Sequence, residues 1–315
     1  KKKKNILTHL FTQHNKLGGE LGNYLHTSFM PQLEDSLQQK KWDITPYVNV
    51  FNQVPEKGFM QFMDSPRYAS GYTTLFNTIG LTLETHMLKP YRQRVEGTYE
   101  LMKSFINIAD TDAERIKTLR KNSFEKYKAG SYYPISWTVD SSKTSTLKFK
   151  GYEGQMVPSK ITGVERLKYF RDKPFTKDVT YYNYFKATDS VIIPSAYIVP
   201  KGYWNVIELL KLNNIEFTEI KNDSTLLAEV YHIKSFETVK NPFEGHYIHY
   251  KTEVTKSTEN VSINAGDVLV KTQQSGVRYL LEILEPNTPD SFFNWNFFDA
   301  ILQQKEGFSP YVWEA

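Results

Sequence analysis

The residues best suited to chemistry lie between positions 65 and 86, where a turn-rich loop precedes an apolar segment. The loop reads Ser-Pro-Arg-Tyr-Ala-Ser-Gly-Tyr over residues 65–72, and the segment over residues 78–86 carries a single carboxylate, Glu84. An acid near the end of a buried strand is desolvated, and desolvation prepares it to accept and release protons. The pattern therefore predicts a general acid or base at Glu84.

Two alternatives for the environment of Glu84 follow from its neighbours. Side chains two residues apart on a strand share a face, so Thr82 and His86 are expected on the side of Glu84, with His86 orienting the carboxylate or lining the same cleft. Alternatively, Glu84 is a strand-end carboxylate that forms an ion pair with a downstream cation. The cations available for that pair are Lys89, Arg92 and Arg94.

Loop and strand together resemble the zinc metallocarboxypeptidases of peptidase family M14, especially large extracytoplasmic members from Bacteroidota-type bacteria. The matching residues are Tyr68, Ser70 and Gly71 in the loop and Leu-Thr-Leu-Glu at 81–84. The resemblance implies that Glu84 takes a proton from a zinc-bound water and later delivers it to the leaving amine. It also implies that Tyr68 closes over the substrate, in a loop to which Ser70 belongs.

Arg67, beside Tyr68, is a further candidate for substrate binding. A guanidinium can hold a substrate carboxylate through two parallel hydrogen bonds, which a carboxypeptidase requires. In the family, however, the arginine that binds this carboxylate lies upstream.

The zinc ligands of this family are a His-x-x-Glu pair and a more distant histidine, which leave one position for water. None of the seven histidines of this chain is followed by glutamate three residues later. The resemblance therefore implies that the metal ligands precede Lys1 and that the chain is the C-terminal portion of a longer zinc enzyme, itself inactive when isolated. The four leading lysines and the aromatic residues at 308–313 favour the same expectation.

Composition excludes several classes of function. The chain has 315 residues and a formal charge of +4, too mild to indicate nucleic-acid binding. No segment is apolar over the length of a membrane span. Because cysteine is absent, disulfides, thiolate nucleophiles and cysteine zinc sites are excluded. The resemblance alone implies a peptide or protein substrate, an extracytoplasmic location (periplasm, outer membrane or secreted), and room for a cell-envelope protein partner.

The fold class predicted for residues 1–135 is α/β: the back half of a carboxypeptidase-like mixed sheet flanked by helices. Alternating helix and strand patterns by themselves predict a largely parallel sheet. Helices are predicted at 6–14, at 21–39 with apolar residues every fourth position from Leu21 to Leu37, and after Pro90 with one apolar stripe. That stripe contains Val95, Tyr99, Met102 and Ile106. Strands are predicted at 47–51, 59–63 and 79–85.

Residues 136–315 are predicted to form a smaller, strand-rich α+β accessory domain. The pattern predicts strands at 145–149, 179–182, 191–193, 196–199, 215–220, 246–254, 261–264 and 268–271. Residues 200–204 are predicted to lead into a helix that ends at 213, and a second helix is predicted at 276–284. His246 and His249 are an odd number of residues apart on a predicted strand, so they are not expected to share a metal. The aromatic segment 291–299 is expected to pack the second domain against the first, the alternative being an exposed platform for a ligand.

Two further functions remain open at the level of sequence. The same fold can belong to a catalytically inactive peptide-binding protein or to a subunit of an envelope complex. The aromatic-rich second region can instead serve a glycan-binding protein. Carboxypeptidase and amidase activities use the same machinery, and the residue types in this chain do not separate them.

Overall fold

The computed structural model describes residues 5–50, 53–303 and 311. These residues form a mixed α/β protein with several small mixed and antiparallel sheets. The chain divides into two compact units, Lys1–Val191 and Ile192–Ala315. The boundary predicted near residue 135 lies inside strand β5 (Tyr132–Val139), within the first unit. The change of composition at that point marks a passage from helices to long strands, and the compact unit continues through them.

The first unit contains the elements that carry the candidate site. Its described strands are β1 (Leu7–Phe11), β2 (Ile44–Pro46), β3 (Phe59–Met60), β4 (Leu81–Thr85), β5, β6 (Ser145–Pro158), β7 (Glu165–Tyr182) and β8 (Phe185–Ile192). Its described α-helices are α1 (His14–Leu17), α2 (Gly19–Tyr24), α3 (Met30–Gln39), α4 (Ala69–Thr74), α5 (Tyr91–Thr111) and α6 (Ala113–Phe124).

The sheet that bears Glu84 has the strand order β2-β1-β4. Strand β1 pairs parallel with β2 and antiparallel with β4, so this sheet is mixed, whereas the alternation of helix and strand patterns predicted a largely parallel one. Within the described residues β4 is an edge strand. One edge of the strand that carries Glu84 is therefore open.

Strand β1 corrects the helix predicted at 6–14. Leu7 and Phe11 are buried, and so is the intervening Thr8, because β1 is the central strand and is covered on both faces. A short apolar run of this kind has no distinct period, so periodicity alone cannot separate a buried strand from a buried helix. A helix does stop at Gly18 and Gly19, but it is the short α1: Gly18 caps its C-terminus, and Gly19 begins α2.

The helical segment 19–39 confirms the predicted apolar stripe. All five of its apolar residues at every fourth position are at most 1% exposed: Leu21, Leu25, Phe29, Leu33 and Leu37. The segment is α2 followed by a single π-helical stretch (Leu25–Phe29) and then α3. Together with Leu101 and Ile108 of α5, this stripe forms the core beneath the sheet.

Helix α5 differs from its prediction in the face that it buries. The predicted stripe of Val95, Tyr99, Met102 and Ile106 is exposed, with 47% to 62% of each residue accessible. The buried positions are Gly97, Leu101, Ser104 and Ile108. Gly97 fits here because a Cβ at this position would lie 3.1 Å from atoms of Leu7 and Trp42. Small residues let the helix approach the core closely, and the large apolar residues remain on the outside.

Two further sheets complete the first unit. Strands β3, β7 and β6 form one, in which β6 and β7 make a long antiparallel ribbon, and β5 pairs with β8. A second core lies against the ribbon and contains Val48, Phe59, Phe149, Val179 and Tyr181.

The second unit contains strands β9 (Ala196–Val199), β10 (Thr218–Glu219), β11 (Ser224–Thr238), β12 (His249–Ile263) and β13 (Val268–Lys271), with helices α7 (Trp204–Leu212) and α8 (Val277–Leu284). Strands β9, β13 and β10 form an antiparallel sheet with β13 in the middle, and β11 and β12 form a long hairpin. The predicted strands at 196–199 and 268–271 are confirmed, as is the helix at 276–284. No helix among the described residues has the length and apolar character needed to cross a membrane.

Candidate functional site

The β2-β1-β4 sheet has one apolar and one polar face. Pairing places Leu7, His9 and Phe11 opposite Thr85, Leu83 and Leu81, and this face packs against the helices. The other face carries Thr8 opposite Glu84 and Leu10 opposite Thr82. Glu84 and Thr82 therefore lie on the face opposite the helices, where Thr8 is fully buried and Glu84 is exposed.

The segment 65–72, whose residues from Ala69 onward belong to α4, is anchored to this polar face. The Ser70 hydroxyl lies 3.3 Å from the Thr82 hydroxyl, and the Thr12 hydroxyl donates to the Ser70 carbonyl oxygen over 3.0 Å. Gly71 has no substitute here, because a Cβ would lie 2.1 Å from the Ser65 carbonyl oxygen. The structure thus brings the loop and the strand of the predicted site together, through Ser70 and Thr82.

Ser70 contributes to the position of the loop and is only 1% exposed. Its hydroxyl hydrogen-bonds the carboxylate of Asp64, which is also 1% exposed. Burial raises the pKa of Asp64, while the Ser70 hydrogen bond and the nearby Lys16 charge oppose that rise. Ser70 was predicted to bind substrate, but its hydroxyl is buried and already hydrogen-bonded to Asp64.

Glu84 is exposed, so the predicted desolvation of this acid is not found. The physical reason is that β4 lies at the edge of the described sheet, where no further strand covers the end of Glu84. The alternative of an ion pair with a downstream cation is also not found within the described chain, and Arg92 bonds Glu96 at 2.6 Å instead. The Glu84 carboxylate is therefore available for a ligand or a water molecule.

Tyr47 is a member of the site that sequence reasoning missed. It follows β2, and its amide donates to the His9 carbonyl oxygen over 2.8 Å. Burial raises the pKa of the Tyr47 phenol, and the negative charge of Glu84 raises it further. The phenol thus lies within the electrostatic reach of Glu84 and keeps its proton. No local motif marks Tyr47, because it joins the site only through the pairing of β2 with β1.

Tyr68 and Arg67 lie at the start of α4, where both are exposed. Tyr68 precedes the first residue of the helix, and its ring packs edge-to-face on Phe62 at 5.2 Å between centroids. The roles of these two side chains in substrate binding stay predictions.

His86 lies beyond the end of β4, where strand alternation no longer fixes its direction. Its amide donates to the Ile6 carbonyl oxygen over 2.9 Å, and its Nδ1 accepts from the Leu88 amide over 3.3 Å. The first bond links the chain to the residue before β1, and the second, with the Lys89 amide that donates to the His86 carbonyl oxygen over 2.9 Å, closes the turn at 86–89. The prediction that His86 shares the face of Glu84 assumed a strand that continues past Thr85.

The described residues do not supply a zinc site. No group of three or more histidine, aspartate, glutamate or cysteine side chains among them is arranged to hold a metal ion. Two imidazoles, His14 and His26, do meet, but they stack nearly parallel with centroids 4.1 Å apart. Nitrogen lone pairs lie in the ring plane, so two stacked rings cannot direct theirs to one ion. Burial lowers the pKa of His14 to about 3, and burial lowers the pKa of His26 as well.

The histidines of the second unit likewise have separate environments. His249 lies between the Thr238 hydroxyl, at 2.8 Å from Nδ1, and the Asp299 carboxylate, at 3.0 Å from Nε2. His246 packs against the rings of Trp295 and Phe297. Phe292 and Phe293 of the aromatic segment are buried, and Phe293 packs on Phe236 and His249 of the same unit.

Comparison of this chain with family models, with curated proteins and with solved structures gives no significant match.

Proposed function

We propose that this chain carries the general base of a zinc-dependent carboxypeptidase-type hydrolase, and that Glu84 is this base. The observation that carries the proposal is the uncommitted Glu84 carboxylate on the polar face to which the 65–72 loop is anchored by Ser70 and Thr82. The contact between Ser70 and Thr82, 12 positions apart in the sequence, supports a common site for the M14-like loop and strand.

Peptide hydrolysis requires that the attacking water lose a proton and that the leaving amine gain one. Glu84 can accept the first proton and deliver it to the amine, which is the usual contribution of a positioned carboxylate. Tyr47 remains protonated beside it and can donate a hydrogen bond on the same face. Tyr68 and Arg67, both exposed at the start of α4, are the residues that we propose contact the substrate chain.

A zinc ion bound at this site would polarise the carbonyl group and acidify the attacking water. Its ligands are not among the described residues, and by the family resemblance they belong to a part of the polypeptide that precedes Lys1. The open edge of β4 and the apolar stripe of α5 offer a surface against which such a part can pack. Unpaired strand edges and large exposed apolar patches are typical of surfaces that receive a further segment.

The test is the variant Glu84→Gln in the full-length polypeptide, assayed on a peptide with a free C-terminus. We expect kcat to fall by about 10²- to 10⁴-fold, the usual contribution of a general base, with zinc content unchanged. Glu114→Gln is the matched control, since Glu114 is an exposed carboxylate on α6 of the same unit. Full activity of Glu84→Gln with zinc bound would remove Glu84 from the mechanism.

The alternative of an inactive peptide-binding protein or envelope-complex subunit has a distinct outcome in the same assay. Wild-type protein would then bind the peptide, and neither zinc loading nor Glu84→Gln would alter its turnover, which would stay at background.

A further inference from the structure

The second unit contains a cavity of about 940 Å³ between strands β9 and β11. Its walls include seven consecutive residues, 194–200, and six consecutive residues, 226–231. Successive side chains of a strand point to opposite faces, so a cavity that follows one face touches only every second residue. Contact with every residue of these two stretches means that the cavity follows an edge of each strand, and the alternate residues Asp267, Leu269 and Lys271 show that it also covers one face of the sheet next to β9.

Both of these edges are open within the described residues. Strand β9 is the last strand of its sheet, and β11 pairs only with β12. Alternate residues of an edge strand present unpaired amide and carbonyl groups, which can accept an additional strand. Leu226 and Leu227, adjacent on β11 and 48% and 63% exposed, offer apolar contacts on both sides of such a strand.

A shared carboxylate holds the two walls in place. Glu285, which follows α8, is 1% exposed and accepts hydrogen bonds from Tyr197 of β9 and Tyr231 of β11. The bond from Tyr231 measures 2.5 Å. Because both tyrosines line the cavity, the distance between its walls is fixed before any ligand arrives. Such preorganisation reduces the entropic cost of binding.

All but one of the charged side chains that line the cavity already form an ion pair or hydrogen bonds within the chain. The Glu229 carboxylate pairs with Lys256 at 3.1 Å, and the two Asp267 oxygens accept the amides of Lys201 and Asn264 over 2.9 and 2.8 Å. In the described part of the chain, the Lys271 ammonium has no ion pair or hydrogen bond. It pairs in register with Ala196, at one end of β9. A ligand that complements this cavity is therefore apolar along its length and anionic at one end.

We propose that the cavity binds the C-terminal end of an extended peptide, which adds as a strand to the open edge of β9. Apolar side chains of the peptide contact Leu226, Leu227 and Ile198, and its terminal carboxylate binds the Lys271 ammonium. Main-chain hydrogen bonds supply affinity in this mode, while the side-chain pockets and the carboxylate supply selectivity. The four residues of β9 set the paired length at about four peptide residues. This site lies in the second unit and does not depend on the peptidase activity proposed above.

The test measures binding of the 315-residue chain to one peptide in two forms. The probe is the hexapeptide Gly-Ser-Thr-Val-Thr-Leu with an N-terminal rhodamine, as the free acid and as the C-terminal amide, followed by fluorescence anisotropy. EDTA is present throughout so that hydrolysis cannot contribute. We expect the free acid to bind about 10-fold more tightly than the amide, which corresponds to one charge-assisted hydrogen bond.

Variants separate the parts of the proposal. Lys271→Gln should weaken binding of the free acid to the level of the amide, whereas Lys221→Gln, an exposed lysine of the same unit, should leave the 10-fold preference intact. Leu227→Asp should weaken both forms, and its large exposure makes the substitution compatible with folding. Absence of binding up to millimolar chain, equal affinity for acid and amide, or unchanged binding in Leu227→Asp would each overturn the proposal.

Discussion

Two carboxylates of the first unit lie in environments that differ from those their neighbouring residues suggest: Glu84 is exposed and Asp64 is buried. The apolar segment around Glu84 predicts a desolvated acid, yet Glu84 is exposed at the open edge of β4. Asp64, in a loop rich in polar residues, is the buried acid with the raised pKa. Whether a side chain is covered depends on which strand ends the sheet and where a loop folds, and neither is encoded within a few residues of the acid.

His14 provides a pH-dependent prediction at the same scale. Its pKa is about 3 in the folded chain and has the ordinary value of 6.5 once unfolding exposes the ring, so the unfolded chain binds the extra proton first. Stability is therefore full above pH 6.5 and falls as the pH decreases toward 3. At about pH 5.5 this histidine alone lowers the free energy of unfolding by about 1.4 kcal/mol relative to about pH 8. His26, whose pKa is also lowered, adds to the loss.

The measurement compares wild type with His14→Phe, which keeps an aromatic ring against His26 but cannot titrate. Urea-dependent hydrogen exchange of peptides from residues 19–39 reports the stability of the first unit at pH 8 and pH 5.5. We expect the acid-induced loss to shrink by about 1.4 kcal/mol in His14→Phe. The control His232→Phe, an exposed histidine of the second unit, should show the wild-type loss. An identical loss in wild type and His14→Phe would contradict the buried, neutral state of this imidazole.

At the scale of elements, apolar periodicity located the helical segment 19–39 and helix α5 but did not always identify the buried face. The stripe from Leu21 to Leu37 is buried as predicted because the sheet and α5 cover it. The stripe from Val95 to Ile106 has the same character but is exposed, and the face with Gly97 and Ser104 is buried instead. Periodicity shows that a helix has an apolar side, whereas the covering surface comes from tertiary structure.

Adjacent residues of α5 test this assignment directly. Leu101 is 2% exposed and Met102 is 55% exposed. Leu101→Ala leaves a cavity in the core, so we expect it to cost about 2–5 kcal/mol of the free energy of unfolding. Met102→Ala should change that free energy by less than about 0.5 kcal/mol, as for most surface positions. Chemical denaturation of the 315-residue chain distinguishes the two, and a reversed order of costs would show that the predicted stripe is the buried one.

For the whole molecule, sequence patterns predicted several strands and helices of the second half, but the change of composition did not locate the boundary between the compact units. The residues of β9, β13 and α8 follow their predictions closely. The compact units, however, divide at 191/192 rather than near 135. The long ribbon of β6 and β7 pairs with β3, an element from earlier in the chain, which joins this ribbon to the first unit. Such long-range pairing has no signature in local composition.

Residues 192–315 should consequently fold when expressed without the rest of the chain. This unit contains its own buried residues, among them Val206, Leu210, Val270, Leu280 and Phe293, and its length is typical of an independent domain. We expect a single cooperative thermal transition by circular dichroism. As a control, residues 136–315, which start at the predicted boundary, would include β6 and β7 without β3 and should show an additional, weakly cooperative transition. A non-cooperative melt of 192–315 would contradict the division into these two units.

The π-helical stretch at Leu25–Phe29 explains how five apolar side chains at strict four-residue intervals can all face one core. In a regular α-helix each such interval overshoots a full revolution by about 40°, so Leu37 would point about 160° away from Leu21. A stretch with wider turns advances less per residue and removes part of that surplus rotation. The direction in which the side chains of α3 point is thus set by this π-helical stretch. Because of it, Leu33 and Leu37 of α3 reach the interior.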